Sequence, residues 1–187
     1  MSNNSKSGPL LVREAALGVL FATIGAVALI GALSVLATIA PEAEAARALK
    51  KLNHTFPVPA RHTYGDGFGA GRGHQGQDVF AKCGKPVVSA RRGRVQERGR
   101  HSAAGNYIVV DGANTRVDYV YMHLRRSGLA RKGQRVGNGK QIGKVGQSGN
   151  ASGCHLHFEL WSGPGWYEGG RPKRSVTKHL RRWDRQS

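Results

Sequence analysis

The chain has 187 residues, the size of one globular domain with additional segments, and 29 Lys and Arg against 11 Asp and Glu give it a net charge of +18. Glycine accounts for 27 residues, and each glycine inside a helix costs about 1 kcal/mol relative to alanine, so a helix bundle and a coiled coil are excluded. A hydrophobic content of 39% supports one core, and the glycine content favours a turn-rich β domain.

An uncharged apolar segment occupies residues 15–40, after a polar flank at residues 1–14. As a helix it would exceed the roughly 30 Å hydrocarbon core of a bilayer, at about 1.5 Å per residue. The segment therefore predicts a transmembrane helix that anchors the chain. An Ala-x-Ala sequence at residues 43–45 leaves an alternative, a secretory signal that is removed by cleavage. Residues 41–55 are predicted to be a linker.

Residues 56–163 are predicted to form a mostly β, compact antiparallel domain. Short runs with a period near two are separated by glycine-rich connections, without apolar periodicity of helix length. The predicted strands cover residues 87–90, 94–97, 106–111, 117–124 and 155–161.

The basic segment 164–187 has two interpretations. Val176, Leu180 and Trp183 fall at the spacing of one helix face, which predicts a short amphipathic helix packed on the domain. The alternative is a disordered basic tail.

Histidines concentrate on the predicted strands. Because side chains alternate along a strand, His155 and His157 share one face of the last strand, opposite Leu156 and Phe158. The same alternation puts His123 on one face of its strand together with Tyr119 and Tyr121. Three histidines can therefore lie on one side of one sheet.

His74 and Asp78 form a further candidate pair. Fully extended, their spacing spans about 13 Å, which is too far for bonds near 2 Å to one ion. A turn must bring them together, and Gly76 permits one. Two imidazole nitrogens and one carboxylate oxygen, with a fourth position for water, are a common catalytic zinc site, and a remaining histidine can act as general base.

Three motifs occur in an order that resembles the lysostaphin-like, or LytM-type, zinc endopeptidases, which cut peptidoglycan cross-bridges and stem peptides. The resemblance covers about residues 56–162. It is carried by His74-x-x-x-Asp78, Tyr121-Met122-His123-Leu124 and Gly153-Cys154-His155-Leu156-His157-Phe158-Glu159.

This resemblance implies a role for each matching position. His74, Asp78 and His157 would be the Zn²⁺ ligands, and His123 and His155 would be the two catalytic histidines that do not bind the metal. The fold implied is a compact antiparallel β-sheet with the site in a groove on one face.

The two cysteines of the chain are Cys83 and Cys154. In an exported protein they predict one disulfide, which would tie together the two segments that carry the metal ligands. Two free thiols are the alternative.

These observations predict a single-pass membrane protein with a zinc metalloendopeptidase domain outside the cytoplasm, where peptidoglycan lies. The positive charge would hold it to anionic cell-envelope polymers in a salt-sensitive way. The alternative is a non-catalytic cell-wall-binding or regulatory module of the same fold. Nucleic acid is not expected as a partner, because the sequence has no RNP-like aromatic pattern and no helix-turn-helix pattern.

Overall fold

The computed structural model describes residues 53–71 and 73–187. The polar flank 1–14, the predicted transmembrane segment 15–40 and most of the linker 41–55 lie outside the described residues. Within the described part, no helix is both long enough and apolar enough to cross a membrane.

The described chain is built mainly from antiparallel strands. The elements are β1 (His62–Tyr64), β2 (Gln77–Ala81), β3 (Pro86–Val88), β4 (Gly93–His101), β5 (Gly105–Gly112), β6 (Val117–Leu124), β7 (Arg135–Val136), β8 (Gln141–Lys144), β9 (His155–Ser162) and the helix α1 (Val176–Asp184). Seven of the strands form one sheet in the order β1-β2-β9-β6-β5-β4-β7, and β3 pairs with β8 in a separate two-stranded sheet. The mostly β, antiparallel prediction is confirmed.

The large sheet buries one face in the main core. Leu156, Phe158 and Leu160 of β9 alternate onto this face, as the sequence predicts, and are buried there. Helix α1 covers the same face. Its three apolar residues at helical spacing, Val176, Leu180 and Trp183, belong to the main core.

The opposite face of the sheet carries a second, smaller apolar cluster. Val109 of β5, Val120 and Met122 of β6, and Trp166 from the loop after β9 are buried in it. His155, His157 and Glu159 of β9 alternate onto this second face, because the apolar side chains between them point into the main core. The histidines therefore lie on the side of the sheet that α1 does not cover.

The prediction that His123 shares a face with Tyr119 and Tyr121 is wrong. Both tyrosines lie in the main core, whereas the His123 ring lies 4.7 Å from the His155 ring on the other face. The pairing between β5 and β6 shifts register near the end of β6, and His123 has a φ of 59°. This bulge interrupts the alternation and turns His123 toward the other histidines.

Candidate metal centre

Three side chains, from one loop and two adjacent strands, bring potential ligand atoms together. His74, Asp78 and His157 each offer one atom, and these atoms lie within 4.8 Å of one another. Oδ1 of Asp78 is 3.1 Å from Nε2 of His74 and 2.9 Å from Nδ1 of His157. Asp78 on β2 and His157 on β9 are direct pairing partners, so the strand register itself fixes two of the three positions.

The backbone bends at Gly76, between His74 and Asp78, as the sequence predicts. The φ of Gly76 lies outside the left-handed region, so the bend itself does not require glycine. A Cβ at this position would lie 2.6 Å from Nε2 of His157 and 2.6 Å from the carbonyl oxygen of Phe158. Glycine is therefore required by the close approach of β9, and not by a turn with positive φ.

Backbone carbonyls orient three of the four imidazoles. Nδ1 of His74 donates a hydrogen bond to the Gly67 carbonyl oxygen at 2.9 Å. Nδ1 of His123 donates to the backbone carbonyl oxygen of Ser148, and Nδ1 of His155 donates to that of Gly153, both at 2.8 Å. Because a carbonyl can only accept, each neutral ring carries its proton on Nδ1 and leaves the Nε2 lone pair free.

His157 is oriented in the opposite sense by Glu159. Nε2 of His157 donates to Oε1 of Glu159 at 2.9 Å, which leaves Nδ1 facing Asp78. The other oxygen of Glu159 accepts a hydrogen bond from Trp161 Nε1 at 2.6 Å, and Glu159 is only 4% exposed. A carboxylate behind a ligating histidine fixes its tautomer and orientation.

Sequence reasoning missed the roles of Glu159 and Trp161. Alternation along the strand places both side chains on the same face as His157, and that shared face is the signal that the sequence offers. It does not reveal which polar atoms meet, because the hydrogen bonds depend on side-chain rotamers.

The carboxylates give the centre a preference for positive charge. Burial alone would lower the pKa of His157, but the hydrogen bonds to Asp78 and Glu159 raise it to about 9. Burial alone would raise the pKa of Asp78, yet the hydrogen bond from His157 and the neighbouring imidazoles lower it below its ordinary value. A site that favours a cation beside an ionised carboxylate is suited to a metal ion.

The two other predicted site histidines lie beside this cluster. Nε2 of His155 is 3.6 Å from Oδ1 of Asp78, and the His123 ring lies 5.8 Å from the His157 ring. Burial is the main cause that lowers the pKa of His123 to about 4. All five predicted site residues line one open groove on the second face of the sheet.

The donor set fits Zn²⁺. Two imidazole nitrogens and one carboxylate oxygen converge from a loop and two strands, and carboxylate and imidazole are both ligands that zinc accepts. Each of the two imidazoles also has a hydrogen-bond partner on its other nitrogen. Ligating histidines in zinc sites characteristically have such partners.

The structure contains the predicted disulfide between Cys83 and Cys154, with 5.3 Å between the Cα atoms. Cys83 follows β2, which carries Asp78, and Cys154 immediately precedes His155. The bond therefore ties together the ends of the two strands that supply Asp78 and His157.

Several known proteins are similar to this chain in sequence. Peptidoglycan DD-endopeptidase ShyA of Vibrio cholerae is 40% identical over 87 residues, which are 46% of this chain and 20% of that protein. An L-Ala–D-Glu endopeptidase of Bacillus subtilis is 36% identical over 152 residues, covering 71% of this chain and 44% of that protein. The chain thus matches less than half the length of these two curated relatives.

Solved structures share the fold. Lysostaphin from Staphylococcus simulans superposes with a TM-score of 0.61 at 25% identity, over 70% of this chain and 55% of that chain. A zinc-containing peptidase from Vibrio cholerae gives a TM-score of 0.53 at 34% identity, over 58% of this chain and 36% of that chain.

The sequence profile of Peptidase family M23 matches residues 72–171, which is more than half of the chain and includes all five histidine and aspartate positions of the site. The chain therefore belongs to peptidase family M23.

Proposed function

We propose that this protein is a zinc-dependent endopeptidase that hydrolyses peptide bonds in the cross-links or stem peptides of peptidoglycan. The observation that carries the proposal is the convergence of His74, Asp78 and His157 beside two further oriented histidines in one groove. Relatives named as peptidoglycan endopeptidases support the choice of substrate.

In this proposal His74, Asp78 and His157 hold the metal ion. Bound Zn²⁺ lowers the pKa of a coordinated water and polarises a carbonyl. His74 would bind through Nε2 and His157 through Nδ1, because the other nitrogen of each ring donates a hydrogen bond to the protein.

His123 and His155 would handle the protons of the reaction. Each ring is held by a carbonyl at Nδ1, so Nε2 can accept a proton from the attacking water. One of the two histidines takes this proton, and the other stabilises the negative charge that develops on the carbonyl oxygen. The bulge that turns His123 out of the core is therefore part of the proposed catalytic design.

The proposed location is outside the cytoplasm, with segment 15–40 as a membrane anchor. Release by signal cleavage after residues 43–45 is the alternative. The length of the apolar segment supports the anchor, and the extracytoplasmic position of peptidoglycan supports the orientation.

Anionic cell-envelope polymers are the proposed partners of the basic surface. The outer side of α1 and its flanks carries exposed cationic side chains, and within the described residues none of them forms an ion pair with a carboxylate. Such a surface binds polyanions in a salt-sensitive way. The residues are Arg171, Arg174, Lys178, Arg181, Arg182 and Arg185.

The test of the enzymatic proposal is digestion of purified peptidoglycan by the full chain, followed by mass spectrometry of the released fragments. We expect peptide-bond cleavage that stops with a chelator and returns when Zn²⁺ is added. Cleavage that is insensitive to chelator would contradict the proposal that the reaction depends on a metal ion. Wall binding without cleavage, by zinc-loaded protein, would favour the non-catalytic module.

A further inference from the structure

One aromatic side chain that lines the groove is largely exposed to solvent. Tyr167 is 68% exposed, and it lines the same groove as the metal centre. Its ring centroid lies 4.0 Å from that of Trp166, which is only 5% exposed. The pair thus presents one open ring, backed by a buried ring, on the wall of the groove.

The backbone at Tyr167 is unfavourable for tyrosine. The amide of Glu168 donates a hydrogen bond to the Gly165 carbonyl at 3.2 Å, which closes a turn with Tyr167 as its third residue. Tyr167 has a φ of 60°, a conformation that glycine or asparagine adopts more readily. This backbone conformation lowers the stability of the fold, and burial of the exposed Tyr167 ring offsets little of that loss. Unusual backbone of this kind is common at functional sites.

The turn is held in place from several sides. The amide of Trp166 donates to Oδ2 of Asp118 at 2.9 Å, and Nε2 of Gln96 donates to Oε1 of Glu168 at 2.9 Å. The Trp166 ring packs edge-on against Tyr107 with 5.0 Å between centroids. The ring pair is therefore preorganised, so a ligand would not have to order it on binding.

We propose that Tyr167, backed by Trp166, is a stacking subsite for a sugar ring of the glycan to which the substrate peptide is attached. The open face of an aromatic ring is electronegative and attracts the weakly positive C–H face of a pyranose. Tyr167 lines the groove and is 68% exposed, so the face of its ring is open to a flat ligand beside the metal centre. This inference rests on the proposed function, and it adds the sugar to the parts of the substrate that the groove contacts.

The experiment compares two substrates with the same cross-linked peptide, one carrying its disaccharide and one from which the sugar has been removed. Full chain is assayed as wild type, Tyr167→Asn and Tyr167→Phe. Asparagine tolerates positive φ, so Tyr167→Asn removes the ring without straining the turn. We expect Tyr167→Asn to lower kcat/KM on the sugar-bearing substrate about 3- to 10-fold and to leave the sugar-free substrate within about twofold. Tyr167→Phe should match the wild type.

Leu129→Ala, at an exposed residue that does not line this groove, is the matched control and should change neither rate. An equal loss on both substrates would assign Tyr167 to the peptide and overturn the proposal, as would no loss on either.

A second readout does not need activity: the isolated disaccharide is titrated into the protein while the fluorescence of its tryptophans is followed. Binding weakened by Tyr167→Asn supports the sugar subsite even if neither substrate is cleaved, and wild-type protein without binding contradicts it.

Discussion

Glu159 accepts a hydrogen bond from Nε2 of His157 at 2.9 Å, from a position two residues further along the same strand face. The bond leaves Nδ1 of His157 directed at Asp78. Trp161, another two residues along, donates to the second oxygen of the same carboxylate. One face of β9 therefore contains a proposed metal ligand, its carboxylate support and the group that holds that support.

Removing the carboxylate should weaken metal binding. In Glu159→Ala, His157 loses the acceptor that fixes its tautomer, and we expect zinc affinity to fall by about 10- to 100-fold. Competition with a chromophoric chelator measures this affinity. Trp161→Phe should give a smaller loss, and Asp111→Ala, at an exposed carboxylate on β5, should give none. Equal affinity in Glu159→Ala and wild type would show that the carboxylate does not support the ligand.

Variants at Asp78 and His123 should distinguish metal binding from proton transfer. Asp78→Ala removes a proposed ligand, so both bound zinc and activity should be lost. His123→Ala should keep the metal, whereas kcat should fall by about 10²- to 10⁴-fold, the range for loss of a general acid or base. Zinc content by elemental analysis and fragment release from peptidoglycan check the two variants together. Full activity in either variant would refute its assigned role.

Gly76→Ala should disturb the centre through sterics alone. The added methyl would meet the His157 ring and the Phe158 carbonyl at 2.6 Å each. We expect a loss of about 1–3 kcal/mol in the free energy of unfolding, as for other overpacked sites, together with weaker zinc binding. Urea denaturation measures the first and chelator competition the second. Gly137→Ala, where a Cβ meets nothing within 4 Å, is the matched control.

The disulfide should contribute substantially to stability. Cys83 and Cys154 are separated by 71 positions, and closing a loop of that length corresponds to about 4 kcal/mol in the chain-entropy account. The double variant Cys83→Ser/Cys154→Ser should therefore unfold at a clearly lower urea concentration than the oxidised protein. An unchanged urea midpoint would mean that the bond constrains the unfolded chain less than its length predicts.

His54 should make the domain sensitive to acid. Its ring stacks on Trp183 at 4.6 Å between centroids and bonds to the Tyr119 hydroxyl, and burial, assisted by the Arg91 charge, lowers its pKa from 6.5 to about 4. Between these two pH values the unfolded state binds the proton more readily. The stability contributed by neutral His54 is therefore complete above pH 6.5 and is lost progressively as the pH falls to about 4.

The matched variant is His54→Gln, which keeps a polar side chain but cannot titrate. Its unfolding free energy, measured by denaturant titration at several pH values, should fall less steeply than that of the wild type between pH 6.5 and 4. Identical slopes for the two proteins would remove His54 as a source of acid sensitivity.

The β class and the histidine faces of β9 could be predicted, because strict alternation over eight residues carries a strong signal. Strand β2, which holds Asp78, was not predicted. It has only five residues and its sequence, Gln-Asp-Val-Phe-Ala, lacks a clear polar and apolar alternation. The short strands β1, β7 and β8 escaped prediction in the same way, since their pairing comes from tertiary contacts.

The position of His123 could not be obtained from periodicity. A bulge reverses the face of every residue after it, and its place depends on the register between β5 and β6. The bend at Gly76 can be predicted from the sequence, but the steric need for glycine cannot, because the atoms that exclude a Cβ belong to β9, which is distant in sequence. These two positions depend on how separate strands meet, which local sequence does not encode.

The entry to the domain and its last helix meet beside the main core. The amide of Phe56 donates to the Ser187 hydroxyl at 3.1 Å, and His54 stacks on Trp183 of α1. Because the groove opens on the other side of the sheet, immobilising the protein through residues near either position would leave the groove accessible. A short peptide joining the two positions would also allow circular permutants, with new ends opened in exposed loops and the metal centre unchanged.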